Sequence, residues 1–167
     1  GKNVRRARML CEKILGRADQ TDLSGRQLDY VNIEWFEAFK KIHKKVTDKG
    51  EEGGIRLDDT VLSRGLYEGD ILYLDKERAL VVHTPKCMVI RVKVDENHPH
   101  MAAKVCYEIG NRHAPLFYGE EENTFITPYN EPMYLMLEKL HGVTATKEIQ
   151  RLDFDRRISA AVHNHHH

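Results

Sequence analysis

The chemical resource that stands out in this chain is imidazole. Ten histidines occur in 167 residues, and four of them crowd the last five positions: His163, His165, His166 and His167. A neutral imidazole offers one ring nitrogen to a borderline divalent ion such as Ni²⁺, Zn²⁺ or Cu²⁺. On a flexible tail, several rings can gather round one ion at little strain, against the entropy lost on ordering the chain. A purification tag would leave a similar run. Asn164 interrupts this one and no familiar linker precedes it, so at this stage the two origins stand level. A second candidate is His113, which closes Gly110-Asn111-Arg112-His113 at a helix-to-strand junction. A side chain there can project from the helix end, although a lone histidine in that place more often bonds locally. His98-Pro99-His100 is an H-x-H pair whose rings point apart, which favours a surface or capping role. His43 and His83 are expected to be structural or exposed.

Other reactive residues offer less. Cys11, Cys87 and Cys106 are widely spaced and odd in number, which argues against a disulfide framework or a thiolate zinc site and suits a reducing cytoplasm. They read as small buried apolar residues. Cys106 falls on an apolar stripe, where a thiolate is disfavoured. There is no G-x-G-x-x-G, no G-x-x-x-x-G-K-[ST], no G-x-S-x-G and no H-E-x-x-H, so nucleotide-binding and hydrolase signatures are missing. Lys plus Arg number 26, as do Asp plus Glu, and no global field draws the chain to nucleic acid. The balance is uneven, with 12 basic against 7 acidic residues over positions 1–49 and 14 against 19 over the remainder. The longest apolar runs, such as Ala79–Val82, fall far short of the roughly 20 residues that span a bilayer. No apolar h-region opens the chain, and no Sec signal is expected.

These candidates need elements to hold them. Residues 1–8 are polar and basic, read as an extension or an expression remnant, with Met9 near the natural start; a basic RNA-binding arm is the rival reading, weakened because no aromatic residue accompanies it. From Met9 to about residue 86 the pattern is β-rich. Tyr30–Trp35 alternates as a half-buried strand. Phe36, Phe39, Ile42 and Val46 recur at helical spacing, which predicts a helix over 36–46 with a lysine-rich solvated face. Residues 50–54 read as a turn or loop, and Gly69-Asp70 as a tight turn.

From Cys87 the rhythm changes. Cys87–Val94 is a strand. Asp95 to Pro99 carries helix-start chemistry, and Met101, Ala102, Val105, Cys106 and Ile109 form a helical stripe that Gly110 should end. Two short strands near 114–118 and 124–127 flank a polar hairpin loop, Asn130-Glu131-Pro132 opens a second helix, and Val143 starts a last strand. Strand, helix, strand, strand, helix, strand is the ferredoxin-like βαββαβ order. The fold class is therefore α+β. The expected domains are a β-rich one over 9–86, which would bind partners or peptides, a ferredoxin-like one over 87–155, which would bind metal and dimerise, and a flexible His-rich tail over 156–167.

The stretch Val105-Cys106-Tyr107-Glu108-Ile109-Gly110-Asn111-Arg112-His113-Ala114-Pro115-Leu116 resembles the signature of the UreE family of urease accessory nickel metallochaperones. Met9–Gly16, Gly69–Leu72, the second helix and Phe154 resemble that family more loosely, as does the histidine-bearing end. The resemblance implies a non-enzymatic homodimer joined through its C-terminal domains, and the cysteine usage places it in the cytoplasm. It implies that His113 meets its symmetry mate near the twofold axis and binds Ni²⁺ there; imidazole chemistry lets Zn²⁺ or Cu²⁺ substitute. Delivery would be to the urease maturation complex, with its GTPase and the urease apoprotein as partners; the balanced charge and short apolar runs point to neither nucleic acid nor membrane. Some members carry further histidines between the hairpin and the second helix; here Thr127–Pro132 has none, so extra ligands fall to His163, His165, His166 and His167. The competing function is a non-enzymatic peptide-binding scaffold or co-chaperone with incidental metal, and a cysteine hydrolase is a distant third.

Overall fold

The computed structural model describes residues 8–158. The chain divides into two compact units, residues 1–85 and 86–167. In the first, β1 (Arg8–Cys11), β2 (Gly16–Arg17), β3 (Gln27–Asn32), β4 (Ile42–Val46), β5 (Glu52–Arg56), the one-turn helix α1 (Val61–Arg64), β6 (Asp70–Leu74) and β7 (Arg78–His83) follow in order. They build two sheets, β1-β5-β4 and β2-β6-β7-β3. Parallel pairing of β3 with β7 runs from Gln27 opposite Arg78 to Asn32 opposite His83. Val31, Ile33, Ile55, Leu66, Ile71 and Val82 are almost wholly buried in this unit, the side chains whose removal from water drives collapse.

The helix predicted over 36–46 does not form. A 3-10 turn spans Trp35–Glu37, and Ile42–Val46 is strand β4, antiparallel to β5. A tight turn decides this: Gly50 has φ +88, and Thr47 N–H donates to Glu51 O at 2.8 Å, folding the partner strand back onto β4. Gly53 and Gly54, expected in a loop, lie inside β5, the central strand of its sheet. The apolar spacing misled because β4 presents Ile42 and Val46 to solvent and turns His43 inward. Gly69 does supply the expected turn, with φ +86.

The second unit has the anticipated order: β8 (Cys87–Val94), α2 (Met101–Asn111), β9 (Phe117–Tyr118), β10 (Thr124–Pro128), α3 (Glu131–Glu138) and β11 (Val143–Gln150). Its sheet runs β11-β8-β10-β9, with every neighbouring pair antiparallel. Taken within the unit, that is the 4-1-3-2 arrangement of a ferredoxin-like fold. Ile90, Val92 and Val94 from β8 pack with Val105 and Ile109 of α2 and Met133 and Leu137 of α3. The period-two face of the strand and the helical stripes meet in one core. Asn130 caps α3, its Oδ1 accepting from Met133 N–H at 3.0 Å, with Pro132 in the first turn. The start of α2 differs from expectation. Asp95 Oδ1 accepts from Asn97 N–H in a turn of its own, and the helix begins only after His100, whose side chain makes no capping bond.

Candidate metal centre

The end of α2 is where the sequence and the geometry converge on His113. Gly110 was the expected left-handed terminator, but that role falls to His113, at φ +58. His113 N–H donates to Gly110 O at 2.9 Å, and Ala114 N–H reaches Ile109 O at 3.4 Å. These are the two bonds of a Schellman ending, with histidine at the position glycine usually takes. An L-residue there costs about 1 kcal/mol or more, though histidine tolerates it better than most. The consequence is directional. The chain reverses at His113 itself, so its ring is carried on the outside of the corner; it is exposed, and among the described residues it has no hydrogen-bond partner.

The neighbours leave His113 as the accessible donor. Glu108 could offer a carboxylate, but Lys104 Nζ holds it at 2.9 Å and Arg112 Nη1 at 2.7 Å. The hydrogen bonds from Arg112 and Lys104 hold the Glu108 carboxyl below its ordinary range. Arg112 also donates to Glu108 O at 2.9 Å, tying the cation to the last turn of the helix. Burial raises the thiol of Cys106 above its ordinary value, so it stays protonated and a poor ligand. Burial likewise lifts Cys11 to about 11. The carbonyl end of α2 carries the negative pole of the helix dipole and favours a nearby cation by roughly 0.3–1 kcal/mol. Exposed Tyr107 and Gly110, which a Cβ would leave in open space, flank the corner on the outward face of α2.

One imidazole is not a metal site. Among the described residues no three His, Cys, Asp or Glu groups converge on an ion position. The tail candidates His163, His165, His166 and His167 lie outside the described residues. The remaining histidines divide clearly. His43 is 6% exposed, and its Nε2–H donates to Lys40 O at 2.9 Å, a satisfied structural residue. Burial lowers its pKa below the ordinary histidine value. His83 Nδ1 lies 3.1 Å from Glu68 Oε1. His98 packs edge to face against His141, with ring centres 4.7 Å apart, a contact that sequence spacing could not reveal because His141 comes from the far side of α3. The signal available was weak: an H-x-H pair before one helix and a histidine before glycine after another.

Comparison with known proteins reaches both units. The family model described as the N-terminal domain of the UreE urease accessory protein matches residues 11–84. The corresponding C-terminal domain model matches residues 86–167. A urease accessory protein UreE from Helicobacter pylori strain G27 is 36% identical over 154 residues, covering 92% of this chain and 88% of its own length. Its namesake from Helicobacter acinonychis is 36% identical over 157 residues, covering 93% and 90%. The one from Acetivibrio thermocellus is 36% identical over 161 residues, covering 95% and 100%. Among the described residues no helix is long and apolar enough to cross a membrane.

Proposed function

The chain belongs to the UreE urease accessory protein family, and from that premise we propose that it carries Ni²⁺ at a site shared by two copies of itself and hands it to the urease maturation machinery. The family is one of accessory chaperones, not enzymes. His113 carries the reading: an exposed imidazole, unpartnered among the described residues, held in a left-handed helix ending. Strained backbone persists where something other than stability maintains it. Closed twofold dimers bring the same residue together from both copies. Two His113 rings on such an axis would supply two nitrogens. Glu108 is engaged by its own helix, so further donors would come from His163, His165, His166 and His167. Imidazole accepts Zn²⁺ and Cu²⁺ as well. A site with few fixed ligands suits a carrier, because an acceptor can displace the mobile ones stepwise. In this reading residues 87–155 bind metal and dimerise, while residues 9–86 face partners, the maturation GTPase and urease apoprotein among them, in the cytoplasm.

Calorimetric titration of Ni²⁺ into the full chain, into His113→Ala and into a chain ending at Val162 tests this, with mass measured in parallel. Loss of the tight ion in His113→Ala, with the dimer retained, is the expected result. Unchanged affinity in that variant would overturn the reading. Equal affinity in the truncated chain would remove the tail from it.

The scaffold reading draws on one observation. Leu10, Ile42 and Val46 lie on one exposed face of the β1-β5-β4 sheet, around Gly54. That face could receive an apolar peptide, and a peptide-binding activity indifferent to His113→Ala would favour it.

A further inference from the structure

The three-stranded sheet of the first unit leaves one broad face bare. Leu10, Ile42 and Val46 are 60%, 69% and 54% exposed, while Met9, His43 and Ile55 of the same strands are buried. Alternation along the strands separates the two sets, and the register lays out the bare face. Glu52, Gly54 and Arg56 follow one another along the central strand β5. On one side Val46 lies beside Glu52, Lys44 beside Gly54 and Ile42 beside Arg56. On the other side Leu10 of β1 flanks Gly54. Gly54 therefore stands at the centre, with exposed aliphatic side chains about it.

The backbone does not call for glycine at that centre. Gly54 has no positive φ. A Cβ on it would meet Leu10 Cδ1 at 3.6 Å and Met9 O at 3.7 Å, ordinary van der Waals contacts. Glycine inside a strand costs about 0.5–1 kcal/mol against alanine, and it often marks where another backbone or a ligand comes close. The charges about Gly54 point to the partner. Let a second copy of the face be turned over about an axis along the row Leu10, Gly54, Lys44. Each strand then lies over its own counterpart, running the other way. Glu52 comes over Arg56 and Arg56 over Glu52. Val46 comes over Ile42 and Ile42 over Val46. Leu10 meets its counterpart, and the two Gly54 residues leave room for close approach. The like-charged Lys44 pair falls on the edge strand β4, where both side chains turn to solvent.

We propose that the outer face of β1-β5-β4 packs face to face on the same face of a second copy of this chain, about a twofold axis lying over Gly54. Such an interface is isologous, and every contact in it occurs twice or on the axis. Facing sheets stand about 10 Å apart, a gap that the aliphatic side chains fill and that Glu52 and Arg56 bridge from opposite copies. Three strands about 4.8 Å apart and five residues at about 3.3 Å each give a footprint of roughly 240 Å² per copy. That is well below the roughly 800 Å² per partner of a standard stable complex, so the association is weak and concentration-dependent. It lies in the first unit and needs no metal, so it is independent of His113. A chain that also pairs through its second unit would be linked by the two faces into assemblies larger than two copies.

The test uses the full chain without added metal. Sedimentation over a concentration series reads the mass, and methyl NOEs between a ¹³C-labelled and an unlabelled copy read the contact. Mass rising above that of the dilute species is expected, with NOEs from Ile42 of one copy to Val46 of the other. Glu52→Arg and Arg56→Glu each set like charges face to face and should weaken the association about tenfold or more. The two together should restore it to within about threefold of the parent. The residues are four positions apart on one strand, about 13 Å, so a pairing within one chain does not produce that rescue. Mass that stays constant to millimolar concentration, single variants that match the parent, or a double variant that fails to restore association would each overturn the proposal. So would uptake of an apolar peptide on this face while the copies stay apart. Backbone amide spectra matching the parent's verify that each variant is folded.

Discussion

His43 and His113 are the same side chain in two settings, one in each unit, and their contrast shows what frees an imidazole for chemistry. His43 sits on β4 with its ring turned into the protein and its proton committed to the Lys40 carbonyl. His113 sits where α2 ends, on backbone that L-residues avoid, with its ring in solvent. Residue type does not distinguish them, and neither does local charge, since both have basic neighbours. What differs is whether folding has used the ring nitrogens. A histidine buried with its ring proton spent on a backbone carbonyl stabilises; one left exposed at a cost in backbone energy is available to an ion.

Metal binding should separate the two most sharply. His113→Ala is expected to weaken Ni²⁺ binding a hundredfold or more, since loss of a two-ligand anchor costs several kcal/mol, whereas His43→Asn should leave it within about twofold. Calorimetry on both variants would decide. Comparable losses at the two positions would break the contrast.

Stability should respond in the opposite sense. His43→Ala deletes a buried ring and orphans the Lys40 carbonyl, which should lower unfolding free energy by about 2 kcal/mol. His113→Gly relieves the left-handed strain and should raise it by up to about 1 kcal/mol, less some unfolded-state entropy. Denaturant unfolding would read both. A variant more stable and metal-blind at once would show that the strain at His113 serves binding and not folding; a destabilised His113→Gly would show the reverse.

The contrast also marks how far the sequence could be read. The second unit was legible because its patterns agree with one another. The strand Cys87–Val94 and the stripes of α2 and α3 bury the residues that periodicity assigned to the core, and their order alone implied the sheet. The first unit was less so. Ile42 and Val46 mimic a helix with Phe36 and Phe39, but the turn at Thr47–Gly50 pairs that segment as a strand with its apolar residues outward. A long-range partner overrode local spacing. At the site, the residue number was readable and the reason was not. Gly110 is the better intrinsic terminator, and only the backbone shows that the helix runs one residue beyond it and leaves the left-handed position to His113. The closeness of His98 to His141 is tertiary and had no sequence signature.

The smallest expected effect concerns protons. Burial is the leading cause that lowers the His43 pKa beneath the ordinary value of 6.5, with nearby Lys45 and Lys40 adding to it and the Lys40 carbonyl bond and Glu37 opposing it. The unfolded chain therefore binds a proton at this residue in a range where the folded chain does not. Stability then rises with pH across that range. The contribution is complete above about 6.5 and is lost as pH falls from there toward the lowered folded value, at no more than about 1.4 kcal/mol per unit for a single proton. Below that value the loss levels off. Carboxylates such as Glu37 titrate lower, so the difference between the unfolding curves of the parent and of His43→Asn isolates the histidine. That difference should narrow as pH drops from 7 to 5, because the parent loses a term the variant lacks. If it stayed constant, the His43 ring would be free to charge in place, and burial alone would not be what sets it apart from His113.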